Sequence, residues 1–210
     1  MKYLIVGGTS LFGGRLAAYL QQQDDCAVIY ATKLPTEAAP ALPGVRWSDV
    51  DVLDTLSIVE TLNNACPNVI FDFAVQNSVS YAWVNPGATV DVNVTGALNL
   101  LDAVRQLDYK PTVVLAGSGE EYGRMPFSSL PQNETAKPNP GNIFAASKVC
   151  QTMMAQIYCR AYGMQLIVLR TFNEIGPGQS GRFAVSNFCR QFALIEAGQA
   201  EPVMHTGNVE

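Results

Sequence analysis

The sequence predicts an α/β fold, a doubly wound parallel sheet with helices on both faces. Three observations carry that expectation. Short apolar runs alternate with stretches of helical spacing along nearly the whole chain. The runs are almost continuously apolar, as strands covered on both faces are. The first of them, Tyr3-Leu4-Ile5-Val6, passes through a glycine-rich turn straight into a helical segment. A chain of 210 residues with 48% hydrophobic content can build one large domain, or one domain and part of another.

The first strand stops at Gly7-Gly8-Thr9-Ser10-Leu11-Phe12-Gly13-Gly14, and Arg15 to Leu20 reads as a helix. A strand, a glycine-rich turn and a helix N-terminus together make an anion site, because unpaired backbone N–H groups and the helix dipole converge there. Gly7, Thr9, Ser10, Leu11, Phe12 and Gly13 are the candidate pyrophosphate-binding residues. The plain alternative is an ordinary tight turn. Cys26 to Ala31 reads as a second strand ending at Thr32-Lys33, and Leu34 to Gly44, with three prolines, as a loop. Val45-Arg46-Trp47 is a short third strand, followed by Asp49 to Asp54 and a helix to about Asn64. Val69 to Ala74 is the fourth strand. Thr89 to Gln106 carries Val90, Val94, Ala97, Leu98, Leu101 and Val104 at helical spacing. Thr112 to Gly117 is the fifth strand, and a polar, proline-rich excursion covers Pro126 to Gly141. Ile143 to Ala161 is helical and Gln165 to Arg170 the sixth strand.

Composition excludes several functions. A net charge of −5 argues against a nucleic-acid partner, since phosphate backbones select clustered Lys and Arg. No apolar run approaches the ~20 residues of a membrane span, and Met1-Lys2 leads directly into a strand, which leaves no room for a signal peptide. A cytoplasmic location is expected. The five cysteines are widely spaced, without a Cys-x-x-Cys pair, so no metal site and reduced, buried thiols are expected. His205 is the single histidine, which nearly rules out a His-centred triad. The helices at 89–106 and 143–161 are apolar over more than one face. Burial against the sheet explains that, and so does a homodimer formed through them.

A doubly wound sheet binds its ligand at the carboxyl ends of its strands. At the end of the second strand stands Lys33, a cation suited to a 2′-phosphate, which favours NADP with NAD as the alternative. A solvated lysine is the plain reading.

Five segments, in order along the chain, carry a family resemblance: Gly7 to Gly13; Asp51-Val52-Leu53-Asp54; Asn93-Val94-Thr95-Gly96; Gly117-Ser118-Gly119-Glu120-Glu121-Tyr122-Gly123; and Arg170 to Gln179. They resemble the extended short-chain dehydrogenase/reductases of the NAD-dependent epimerase/dehydratase family. The last two are most similar to the branch of GDP-6-deoxy-4-keto-mannose reductase and GDP-mannose 4,6-dehydratase. The resemblance implies a Rossmann-type NAD(P)-binding domain over residues 1–174 and the start of a small substrate domain over 175–210. It implies a GDP-linked nucleotide sugar as substrate.

Carried over by position, the resemblance gives Asp51 and Val52 to the adenine, Ala74 and Val75 to the path toward the nicotinamide, and Asn93 to the cofactor side. Ser118 would bond the sugar C4 oxygen, Glu120 occupies the base position of the dehydratases, and Glu121 beside it resembles the reductase pattern. Lys148 would hold the nicotinamide ribose, and Asn173 would touch the substrate's phosphates. Each has a plain reading too: Asp51 as a helix cap, Ser118 and Asn173 as loop-satisfying groups, Glu120 and Lys148 as solvated charges.

The implied reaction is hydride transfer at C4 of the sugar, aided by a tyrosine proton carrier beside a lysine. The family signature is Tyr-x-x-x-Lys. Here Phe144 stands at the tyrosine position before Lys148, and a phenyl ring carries no proton. Losing general acid/base help typically costs ~10²–10⁴ in rate. Ser10 at a usual glycine, Ile143 at a usual proline and Glu174 at a usual histidine depart from the pattern as well. Three readings follow: an engineered change, a silent NAD(P)-binding sensor or partner protein, or an enzyme in which Glu120 or Tyr122 carries the proton. A UDP-sugar epimerase is a further alternative, against which the Gly117–Gly123 and Arg170–Gln179 segments argue. The family continues beyond the segment resembling Thr206 to Glu210. The chain is therefore expected to be a piece of a longer protein, leaving Phe183, Phe188 and Phe192 short of packing partners.

Overall fold

The computed structural model describes residues 1–127 and 130–207. Ser128 and Ser129 of the expected excursion, and Asn208 to Glu210 of the expected substrate domain, lie outside the described residues. The chain divides into two compact units, Met1–Phe172 and Asn173–Glu210.

In the first unit, β1 (Lys2–Val6), β2 (Val28–Lys33), β3 (Val45–Asp49), β4 (Val69–Asp72), β5 (Thr112–Ala116) and β6 (Gln165–Leu169) form one parallel sheet in the order β3-β2-β1-β4-β5-β6. The chain order reverses between β1 and β4, and the crevice at such a reversal is where open α/β sheets take ligands. Alternate residues of β1 feed two cores. Leu4 and Val6 join Ile70, Val113 and Leu115 under the helices of one face, and Ile5 joins Ala17, Ile29 and Ala31 on the other. Apolar strands buried on both sides are what the sequence expectation required.

The helices are α1 (Leu11–Gln23), α2 (Thr55–Ala65), α3 (Val79–Val84), α4 (Pro86–Val90), α5 (Ala97–Arg105) and α6 (Ile143–Tyr162). Helix α1 begins four residues earlier than expected because the Ser10 hydroxyl caps it, accepting from the Gly13 N–H at 3.0 Å. The expected helix over 89–106 is not one continuous element. Pro86 starts the short α4, and a wide π-helical turn over Asp91–Gly96 precedes α5. That turn brings Asn93 inward, fully buried. It also sets Gly96 on Val52, where a Cβ would lie 2.5 Å from the valine Cγ2. The expected buried thiols are corrected too: Cys26, Cys66, Cys150 and Cys189 are exposed and Cys159 half-buried, since they sit at element ends and on outer helix faces. All five are free.

The second unit contains α7 (Ala184–Glu196), which has no buried residue, and Phe192 on it is largely exposed. Within that unit Gln191 brackets His205 with two hydrogen bonds, and the Gln179 amide donates to the Glu174 carbonyl. Among the described residues, no helix is long and apolar enough to cross a membrane.

Candidate functional site

The turn after β1 is shaped by close backbone approach. Gly7 has φ +76°, and a Cβ on it would stand 2.7 Å from the Phe73 carbonyl and the Ala74 nitrogen. A Cβ on Gly13 would stand 2.5 Å from the Gly7 oxygen. Glycine is required at both positions. Neighbouring groups satisfy most amides of the turn: Gly7 donates to the Thr32 hydroxyl, Gly8 to the Thr32 carbonyl, Ser10 to Gly7, and Gly14 to Ser10. Within the described residues the N–H groups of Thr9, Leu11 and Phe12 have no such partner. Three unsatisfied donors at the N-terminus of a 13-residue helix, over the topological switch point, suit an anionic group. Ser10, the departure from glycine, takes up one amide internally and leaves these three.

Around this turn, Phe12 packs its ring on Phe73 at 5.8 Å between centroids, and the Thr9 hydroxyl donates to Glu37 at 2.8 Å. Lys33 does not stand as a free cation. Its ammonium pairs with Asp49 at 2.5 Å, and the lysine side chain is 15% exposed against 57% for the aspartate. Asp51 accepts from the Leu53 N–H in its own turn, while Asp54, not Asp51, caps α2 through the Leu56 N–H. Val52 is buried, and its carbonyl accepts from Asn99. Ala74 and Val75 follow β4 and are half-buried.

Beyond β4, Asn93 ties three segments together. Its amide oxygen accepts from the Gln76 N–H at 2.8 Å, and its nitrogen donates to the Gln76 carbonyl and to the Ser147 hydroxyl. Ser147 in turn donates to the Phe144 carbonyl at 2.7 Å. The start of α6, and with it Phe144, is thus fixed to the end of β4.

Ser118 opens a short 3₁₀ turn over Gly119–Tyr122 and forms a capping box with Glu121. Its hydroxyl oxygen accepts from the Glu120 N–H at 3.1 Å, which leaves its proton available. Glu120 is exposed and accepts from Asn142, the residue that caps α6. Glu121 is fully buried and accepts from Ser118, Thr152 and Arg170, the last an ion pair at 3.0 Å. Tyr122, the other alternative proton carrier, is buried, stacked on Phe172, and its hydroxyl accepts from Arg170. Of the two alternatives, Glu120 is the one on the open side.

Phe144 is 7% exposed and Lys148, one helical turn on, is 2% exposed. The Lys148 ammonium donates to Gln151 at 2.5 Å. Burial lowers Lys148 to about 8 against the pull of Asp72 and then Glu121. Burial likewise raises Asp72 to about 6, with Lys148 acting the other way. Asn173 opens the second unit. Sequence reading missed Asp72, Glu37 and Gln151. A lone carboxylate closing the apolar run Val69-Ile70-Phe71 was the available signal for Asp72.

A parallel doubly wound sheet whose first turn presents unsatisfied amides defines the Rossmann-type class of dinucleotide-binding folds. The family model described as the NAD dependent epimerase/dehydratase family matches residues 3–210, and the chain belongs to that family. Among curated relatives, GDP-6-deoxy-D-mannose reductase of Pseudomonas aeruginosa is 31% identical over 144 residues, covering 69% of this chain and 47% of that one. The solved structure of RMD from Pseudomonas aeruginosa with NADPH superposes with a TM-score of 0.80 at 27% identity, over 95% of this chain and 63% of that one. UDP-glucose 4-epimerase of Thermus thermophilus with NAD gives 0.80 at 27%, over 86% and 58%. The chain spans about half the length of the curated relatives it matches.

Proposed function

We propose that the chain binds an NAD(P) dinucleotide on the β1–α1 turn and serves hydride transfer at C4 of a nucleotide sugar, a GDP-linked 6-deoxyhexose. The observation that carries this reading is the trio of unpartnered amides at Thr9, Leu11 and Phe12 over the switch point. Glycine at positions 7 and 13 lets the turn close on the end of β4 and on itself, and that tight backbone is what sets the three amides on one side of the turn. The reductase relative, and the solved structure that holds NADPH, support the GDP-sugar and cofactor assignments.

A bound nicotinamide supplies or accepts the hydride; the chain's own residues do the rest. Asp51 and Val52 line the adenine end, and Ala74, Val75 and Asn93 the way to the reacting end. Ser118, its oxygen already occupied by the Glu120 N–H, offers its proton to the sugar C4 oxygen. Glu120, exposed at the α6 cap, is the group placed to exchange a proton with solvent. Lys148 holds the ribose, Asn173 is assigned to the substrate's phosphates, and residues 175–210 are the beginning of a substrate-binding domain. Exposed Val90, Met153 and Ile157 support a homodimer through the helices over 89–106 and 143–161, and a cytoplasmic location belongs to the same reading.

A second reading, a silent dinucleotide-binding homologue, is favoured by Phe144, whose buried phenyl ring has no proton to give. One experiment separates the two. NADH and NADPH are titrated into the chain, then GDP-4-keto-6-deoxymannose is added while the nicotinamide absorbance is followed, in parallel with Phe144→Tyr. Turnover by the unmodified chain, raised about 10²-fold or more in the variant, is expected of the enzyme. Binding with oxidation only in Phe144→Tyr makes the natural chain silent. No dinucleotide binding overturns both.

A further inference from the structure

Two ionisable side chains are buried in the layer between the sheet and α6, where Ile70 of β4 and Ala155 of α6 share one core. Asp72 closes β4 and is 4% exposed; one carboxylate oxygen accepts from the Ala74 N–H at 3.1 Å. Strand alternation puts it with Ile70 on the face covered by α5 and α6, while Phe71 and Phe73 face the other way. Lys148 reaches the same interior from α6, its ammonium held by Gln151. Among the described residues, the charged groups acting on Lys148 are Asp72 from β4 and Glu121 from the turn after β5. Glu121 is already committed to Arg170, Thr152 and the Ser118 N–H. Neither Asp72 nor Lys148 makes an ion pair within 4 Å among the described residues, and Lys148 is the cation whose charge acts on Asp72.

We propose that Asp72 is a positioning residue for Lys148: its carboxylate keeps the α6 ammonium protonated in a dry site, so that the lysine can meet the ribose of a dinucleotide seated on the β1–α1 turn. The inference rests on the dinucleotide reading above. A buried lysine without a counter-ion gives up its proton, because desolvation penalises the charged form. Asp72 opposes that penalty. Buried charges seldom repay their desolvation in stability, so fold stability alone does not account for the arrangement. With Phe144 unable to ionise, Lys148 is the remaining titratable member of the two signature positions.

The direction with pH follows. Lys148 is protonated below about 8 and Asp72 ionised above about 6, so between those values both charges are present. Removing the Asp72 charge leaves the burial of Lys148 opposed by Glu121 alone, and the lysine deprotonates at lower pH.

The test uses the full chain labelled in its lysines, with the Lys148 side chain followed by NMR through a pH titration and assigned by its loss in Lys148→Arg. In Asp72→Asn the Lys148 midpoint is expected to fall by about one unit or more, a tenfold change in proton affinity. At pH 7.5 the NADH affinity of that variant is expected to weaken about threefold or more, the loss of protonated lysine that a one-unit fall from about 8 gives at that pH, to recover toward pH 6, and to be restored at both values in Asp72→Asn/Lys148→Arg, whose guanidinium stays charged. Asp72→Ser serves as a second charge-removing variant should the asparagine disturb folding. An unmoved Lys148 midpoint overturns the coupling. A moved midpoint with NADH affinity unchanged at every pH overturns the role toward the ribose. Failure of the unmodified chain to bind either dinucleotide overturns the functional reading, and the ribose role with it, while the midpoint still judges the coupling.

Discussion

Lys33 and Asp49 meet at 2.5 Å at the carboxyl end of β2, and that pair governs what a cation there can do for a ribose. A 2′-phosphate approaching Lys33 must compete with a carboxylate already in contact. Partly exposed ion pairs are worth on the order of 1 kcal/mol or less, so the competition is modest and can be tuned. Asp49→Asn is expected to raise affinity for NADPH relative to NADH about fivefold, in line with that energy, measured as the ratio of the two dissociation constants. A ratio unchanged by the substitution contradicts a role for Lys33 at the ribose. At this scale the sequence exposed Phe144, because a fixed spacing to Lys148 makes the missing hydroxyl visible. It did not expose the partners of the charges. Asp49 lies 16 residues from Lys33 and Asp72 lies 76 from Lys148, separations at which only β-strand register and helix docking decide contact.

The elements divide in the same way. Apolar strands and the glycine turn are local signals, and all six strands stand within a few residues of where periodicity puts them. The turn over Asp91–Gly96 is not local. Its widened backbone is held by Asn93, which bonds Gln76 twice and Ser147 once, partners from other segments that no periodicity of Thr89–Gln106 reports. Asn93→Ala leaves the Gln76 N–H and carbonyl without their partner in a buried site. Each such loss costs about 1–3 kcal/mol. A fall in Tm of at least about 3 °C is expected for a chain of this size, together with weaker dinucleotide binding, since the start of α6 loses its tie to β4. Thermal unfolding followed by circular dichroism checks it, and a Tm within about 1 °C of the unmodified chain contradicts the clamp.

For the whole molecule, the strand order sets everything else in place. Reversal between β1 and β4 puts the amides of α1, the end of β4 and the cap of α6 around one crevice of the first unit. Family membership agrees with that layout, and the sequence showed it through five segments spread along the chain. What remains a proposal is the occupant. Assigning backbone amide resonances and adding NADH tests it most directly. The N–H signals of Thr9, Leu11 and Phe12 are expected to show the largest shifts, saturating with the dinucleotide. Saturable binding that leaves those three unmoved, or no binding by NADH or NADPH at all, contradicts a diphosphate on the β1–α1 turn.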